Sequence, residues 1–159
     1  MSTTKHFKEI ISDNAGDYTN LQRACITRNI DLVKKLVSHG ATVTDKNING
    51  DHAFHICATL NSVKTFDYLL PFEKNVDIPN NEGWTPAHIA SFLGHGDFLS
   101  ILIENGANLF SKHSSKMNCI HEVIRTGNTE LFKAIYKYAL EENKLRNLNE
   151  VLVIPGKII

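Results

Sequence analysis

The same residue types return at an interval of 33 positions, and that recurrence limits what this chain can fold into more than any other feature. His55, His88 and His121 fall on it, as do Gly50 with Gly83 and Gly94 with Gly127, while Gly40 and Gly106 stand two periods apart. The sharpest copy runs from Asn81 to Lys112. Its Glu82-Gly83 pair is a turn signal, because glycine takes backbone angles that other residues resist. Thr85 before Pro86 starts a helix: the hydroxyl can accept from a first-turn amide, and proline gives up a donor that would go unpaired. Ala87 and Ala90 let a neighbouring helix approach closely. Gly94 breaks the helix after about two and a half turns. A second helix carries Phe98, Leu99, Ile101, Leu102 and Ile103, and Gly106 ends it as a left-handed cap. One such unit cannot bury its apolar face, so copies must stack.

That period, with Thr85-Pro86-Ala87-His88-Ile89-Ala90 at its centre, resembles the ankyrin repeat over roughly residues 14–138. The resemblance implies an all-α fold: an ankyrin-repeat solenoid of about four helix-turn-helix repeats with short β-turn fingers, at 14–46, 47–79, 80–112 and 113–138. Residues 1–13 place Phe7, Ile10 and Ile11 on one helical face and are expected to form an N-terminal cap. Residues 139–159 are expected to be a C-terminal cap or a truncated extension. Their apolar end folds back, is cut from a longer array, or docks on a partner.

The other copies depart from the pattern. In the first, Leu21, Ala24 and Cys25 fill one helix and Ile30, Leu32, Val33, Leu36 and Val37 the next, with Asn20 and Gln22 at the proline and histidine positions. The second starts a helix at His52-Ala53-Phe54-His55, without the threonine cap or the proline. Its Phe66, Tyr68, Leu69 and Leu70 make a second helix that Pro71 should end or kink early. In the fourth, Lys116 replaces the turn glycine.

Seventeen basic and 17 acidic side chains give a formal charge of zero, which offers no electrostatic case for nucleic acid or a membrane surface. Cys25, Cys57 and Cys119 recur near one point of successive repeats and read as buried free thiols of a reducing compartment. No apolar run approaches the ~20 residues that span a bilayer. Residues 1–8 lack a signal-peptide core. The expected location is cytoplasmic or nuclear, in a host cell if the protein comes from a pathogen or virus. In the family, histidines at the positions of His55, His88 and His121 tie backbone together. His52 and His95 read as surface or cap residues, since a zinc site needs further ligands and no Cys-x-x-Cys exists. Cys57 lies near His55, but both should point into the stack, whereas a nucleophile needs an accessible, electropositive setting. Neither a phosphate cradle nor a nucleophile elbow is present. The reading is therefore a non-enzyme with no cofactor and no metal.

In ankyrin stacks the turn fingers and the exposed ends of the first helices form the concave, partner-gripping side. The resemblance places Ile48, Asn49 and Asp51 there from one finger, Asn81, Glu82 and Trp84 from the next, and Ser114, Ser115 and Met117 from the last. The helix ends add Ile26, Thr27, Thr59, Leu60, Phe92, Leu93, Arg125 and Thr126. An exposed apolar centre with a polar rim marks an interaction site, and Trp84 would be its anchor. On that reading, Trp84→Ala loses about 2 kcal/mol or more of partner affinity with little change in thermal stability. The alternative has Trp84 flat on its own finger and Phe92 and Leu93 packed between helices. The leading function is a protein-protein interaction module, an adaptor or inhibitor of the IκB type or an effector. The alternatives are a targeting domain excised from a larger enzyme or channel, and a histidine-dependent metal or hydrolytic site. A monomer is expected, or a weak dimer through the C-terminal tail.

Overall fold

Four side chains at the 33-residue interval each start a helix in the computed structural model, which describes residues 18–141. Thr19 caps α1 (Asn20–Ile26), His52 caps α3 (Ala53–Leu60), Thr85 caps α5 (Pro86–Leu93) and Asn118 caps α7 (Cys119–Thr126). Each accepts from a first-turn amide, and in each case the third helical residue reaches back to the cap's own N–H. Those third residues are Gln22, His55, His88 and His121, so the recurring histidine is half of a capping box in which imidazole replaces the usual carboxylate or amide. Caps of this kind are worth about 1 kcal/mol each.

The remaining helices are α2 (Ile30–Ser38), α4 (Val63–Leu69), α6 (Gly96–Glu104) and α8 (Thr129–Glu141). Among the described residues there is no β-strand, and each first helix packs on its own second helix and on the first helix of the next repeat. The all-α layered stack that the sequence implies is what forms. The close helix-to-helix approach rests on small buried residues: Ala24, Cys25, Ala53, Cys57, Ala58, Ala87 and Ala90. Aromatic rings carry the core from layer to layer. Phe54 of α3 lies 4.7 Å from Phe66 of α4, which lies 5.0 Å from Phe98 of α6. The apolar lid expected at residues 1–13 and the tail beyond residue 141 lie outside the described residues.

Polar side chains tie the first repeat to the second and the second to the third. Gln22 Nε2 donates to the Asp51 carbonyl at 2.7 Å, and His55 Nε2 reaches the Trp84 carbonyl at 2.8 Å. Successive fingers also bond directly: Asn81 N–H donates to the Asn49 carbonyl at 3.1 Å and Ser114 N–H to the Glu82 carbonyl at 2.8 Å. Gly50 is needed for this crossing, since a Cβ there would meet the Asn81 backbone nitrogen at 2.7 Å.

Three local departures have physical reasons. Pro71 ends α4 early, and the chain continues as a 3₁₀ turn over Leu70–Phe72, the irregular turn expected. Leu32, assigned to the core by spacing, is exposed on α2, where Val33 takes the buried position. Lys116 keeps the finger geometry without glycine. It holds φ 61 and donates to the His113 carbonyl at 2.8 Å, matching the Gly50 and Gly83 turns. An L-residue in the left-handed region costs roughly 1–2 kcal/mol. Lys116→Gly is therefore expected to raise stability by about 1 kcal/mol, read as a later urea midpoint with an unchanged slope. A midpoint that falls contradicts this reading of the turn.

Candidate functional site

The fingers begin at Asn47, Asn80 and His113, again 33 apart. Asn47 Oδ1 accepts from the Asn49 and Asp51 amides, and Asn80 Oδ1 from the Glu82 and Trp84 amides. His113 Nδ1 takes the Ser115 amide in the same way, which leaves its Nε2–H to donate to Glu122 Oε1 at 3.2 Å. The tips between these anchors turn outward. Ile48 is 70% exposed, and Asn81, Glu82, Ser115 and Lys116 are exposed as well.

Trp84 does not face solvent. It is 4% exposed, which corrects the expectation of a surface anchor. Its indole stacks on the His113 ring at 4.4 Å and meets Phe92 edge-on at 5.6 Å and His88 at 6.1 Å. His113 supplies a flat ring where the earlier fingers have asparagine, so the indole is closed between its own helix and the next finger. Asp51, one period earlier, is also buried, its Oδ1 accepting from Asn80 Nδ2 at 2.8 Å. Thr59 is buried too, with its hydroxyl donating to the His55 carbonyl at 2.9 Å. Asp51 and Trp84 are therefore contacts between repeats and Thr59 a contact within its own helix, rather than exposed partner contacts.

The other expected positions reach the surface. Asn49, Leu60, Phe92, Leu93 and Met117 are half-buried and Arg125 is exposed. The Arg125 guanidinium lies over the Phe92 ring at 4.5 Å, and its Nε and Nη2 donate to Glu122 Oε2 at 2.9 and 2.7 Å. Glu122 is buried between Arg125 and His113. Sequence spacing gave no sign of this chain of contacts; the signal available was a histidine at an asparagine position, one period after Asn80.

The histidines and cysteines are set by burial. His52 is a helix cap and fully buried, not a surface residue. All four ring nitrogens of His52 and His55 face backbone: Phe54 N–H and the Ile78 carbonyl, then His52 N–H and the Trp84 carbonyl. No described group of three or more His, Cys, Asp or Glu could hold a metal ion. A hydrogen bond with the Cys25 thiol and burial push the Cys57 thiol up, and burial pushes Cys119 up to about 12, the reverse of what a nucleophilic thiolate needs. No described helix is long and apolar enough to cross a membrane.

Burial lowers His52 from 6.5 to about 3 and His88 from 6.5 to about 4. Below about 6.5 the unfolded chain takes up protons that the folded rings refuse, so the unfolded state gains. Their stabilisation is complete above that value and declines as the pH falls toward about 4, by on the order of 1 kcal/mol per pH unit for each ring. Urea midpoints measured across this window should fall with acidification, and a flat profile contradicts the burial of the rings.

The profile of ankyrin repeats in three copies matches residues 21–113, more than half of the chain. The chain belongs to the ankyrin-repeat family. The ankyrin stack is 30% identical to Alpha-latrotoxin-Lg1a of Latrodectus geometricus over 120 residues, 74% of this chain and 8% of the toxin. It is 25% identical over 135 residues to human Transient receptor potential cation channel subfamily A member 1, 82% of this chain and 12% of the channel. With the RelA-associated inhibitor of Mus musculus it shares 27% identity over 88 residues, 55% of this chain and 11% of the inhibitor. The stack thus spans about a tenth of the length of these relatives. Ankyrin repeats are protein-interaction modules, which assigns this chain its general class.

Proposed function

We propose that this ankyrin stack is a non-catalytic adaptor or inhibitor that grips a partner protein on the face built by its finger tips and the ends of its first helices. One observation carries the reading: Leu60, Phe92 and Leu93 reach the surface at the ends of the first helices, and Ile48, Asn81, Glu82, Ser115 and Met117 on the fingers, Ile48 being 70% exposed. Surface-reaching apolar side chains mixed with polar ones are the usual composition of a protein interface. The three buried free thiols suit the reducing interior of a cell, in cytoplasm or nucleus. A second reading, a targeting module of a larger protein, is favoured by relatives such as the human channel, of which the match covers 12%. Pairing of two copies through the tail remains part of the proposal.

Affinity purification with the wild type and two variants tests this face. Ile48→Asp with Leu93→Ser should weaken capture by roughly tenfold or more, about 1.4 kcal/mol, while the chain stays folded with a lower thermal midpoint, since half-buried Leu93 packs in part against the core. Phe72→Asp alters an exposed side chain of the 3₁₀ turn, away from the fingers, and should leave capture intact. Loss of capture with Phe72→Asp and retention with the first pair contradicts the assignment.

A further inference from the structure

The row at the ends of the first helices has an arginine at each side. Arg28, in the turn after α1, donates from Nη2 to the Leu60 carbonyl at 2.7 Å. Arg125, at the end of α7, lies over Phe92 and is held by Glu122, with its side chain 49% exposed. Between them lie Leu60, Phe92 and Leu93, all half-buried. Both guanidiniums are therefore fixed against the apolar strip instead of extending freely into water. A guanidinium carries five N–H donors, and each of these uses one or two.

The exposed acids that follow these helix ends in the chain, Asp31, Asp97 and Glu130, stand on the second helices, in their first turns. Along the four first helices the charged side chains are Arg23, Glu122 and Arg125, and α3 and α5 bring none. Glu122, the single acid among them, is buried beneath Arg125 and His113. Glu82 is exposed, but on a finger tip at the opposite end of α5 from Leu93. On the first helices and the turn after α1 the count is three arginines, Arg23, Arg28 and Arg125, to the one acid Glu122. Arg28 has a carbonyl as its partner, with no carboxylate against it among the described residues.

Resting on the concave-face reading above, we propose that the partner presents a polypeptide segment with bulky apolar side chains at its centre and carboxylates on both sides. The apolar centre covers Leu60, Phe92 and Leu93, and the carboxylates take the open N–H edges of Arg28 and Arg125. Pre-oriented guanidiniums lose less freedom on binding and pair with carboxylates in a fixed fork geometry.

A displayed library of random short peptides, selected against the full chain, tests this. The expected winners carry Asp or Glu on both sides of Leu, Ile, Phe or Trp. Replacing those acids by their amides should weaken binding roughly tenfold or more, and added salt should weaken it further. Arg28→Gln should weaken the winners similarly. So should the paired variant Glu122→Gln/Arg125→Gln, which leaves no buried carboxylate without its cation. Winners that are neutral or basic overturn the proposal, as does recovering none. If neutral winners still lose binding with Leu93→Ser, the face stands and only its partner chemistry falls. Winners indifferent to every one of these variants sink both readings. An Arg28→Gln chain that loses stability but binds acidic winners unchanged assigns Arg28 to capping α3 alone and overturns its part.

Discussion

Trp84→Ala is expected to destabilise the folded chain by about 3–5 kcal/mol, as for other buried aromatic side chains cut to alanine. The indole is 4% exposed and bounded by His88, Phe92 and His113, so its removal leaves a cavity lined by rings that belong to two repeats. Collapse into that cavity is limited, because His113 is held by its bonds to Ser115 and Glu122. Whole domains are stable by only about 5–15 kcal/mol, so the variant stands close to unfolding at ordinary temperature. Trp84→Phe keeps an aromatic face for His113 and should lose distinctly less. Urea unfolding followed by circular dichroism distinguishes the two. A Trp84→Ala midpoint equal to that of the wild type contradicts the burial of this side chain.

The second large effect is expected at Phe66. Its ring is fully buried and joins Phe54 of its own repeat to Phe98 of the next, at 4.7 and 5.0 Å. Phe66→Ala breaks two aromatic contacts and opens a void across a repeat boundary, again at about 3–5 kcal/mol. The site has little else to hold it: α4 is short, and Pro71 converts its end into a 3₁₀ turn. Phe66→Leu refills part of the volume and should recover part of the loss. Equal unfolding midpoints for the alanine and leucine variants would show that the void is not what costs stability.

The layered helical fold was legible in the sequence because its period is carried by residues with backbone duties. Thr85 with Pro86 starts a helix, Gly94 and Gly106 end helices, and histidines recur beside the caps. Where those types were replaced, the duty persisted in another side chain. Gln22 does the work of the histidine, His52 and Asn118 cap in place of threonine, and Arg28, Asn61 and Lys116 take left-handed angles without glycine. Such substitutes are hard to read in advance, since several residue types can make the same hydrogen bond. The proposed face was legible only in part. Ile48, Leu60, Phe92, Leu93 and Arg125 reach the surface, but Trp84, Asp51 and Thr59 are buried. Position within the repeat indicates which way a side chain sets out; whether a neighbour covers it depends on the next repeat. Trp84 is covered because His113 offers a ring, and Asp51 because Asn80 offers an amide.

The most direct test uses the fluorescence of the sole tryptophan. With Trp84 enclosed by His113, Phe92 and His88, native emission should be shifted to the blue and iodide should quench it weakly. Both properties should change together in one cooperative step as urea unfolds the stack. Native emission at the wavelength of tryptophan in water, with quenching as strong as in the unfolded chain, would contradict the account, because it would return the indole to the surface.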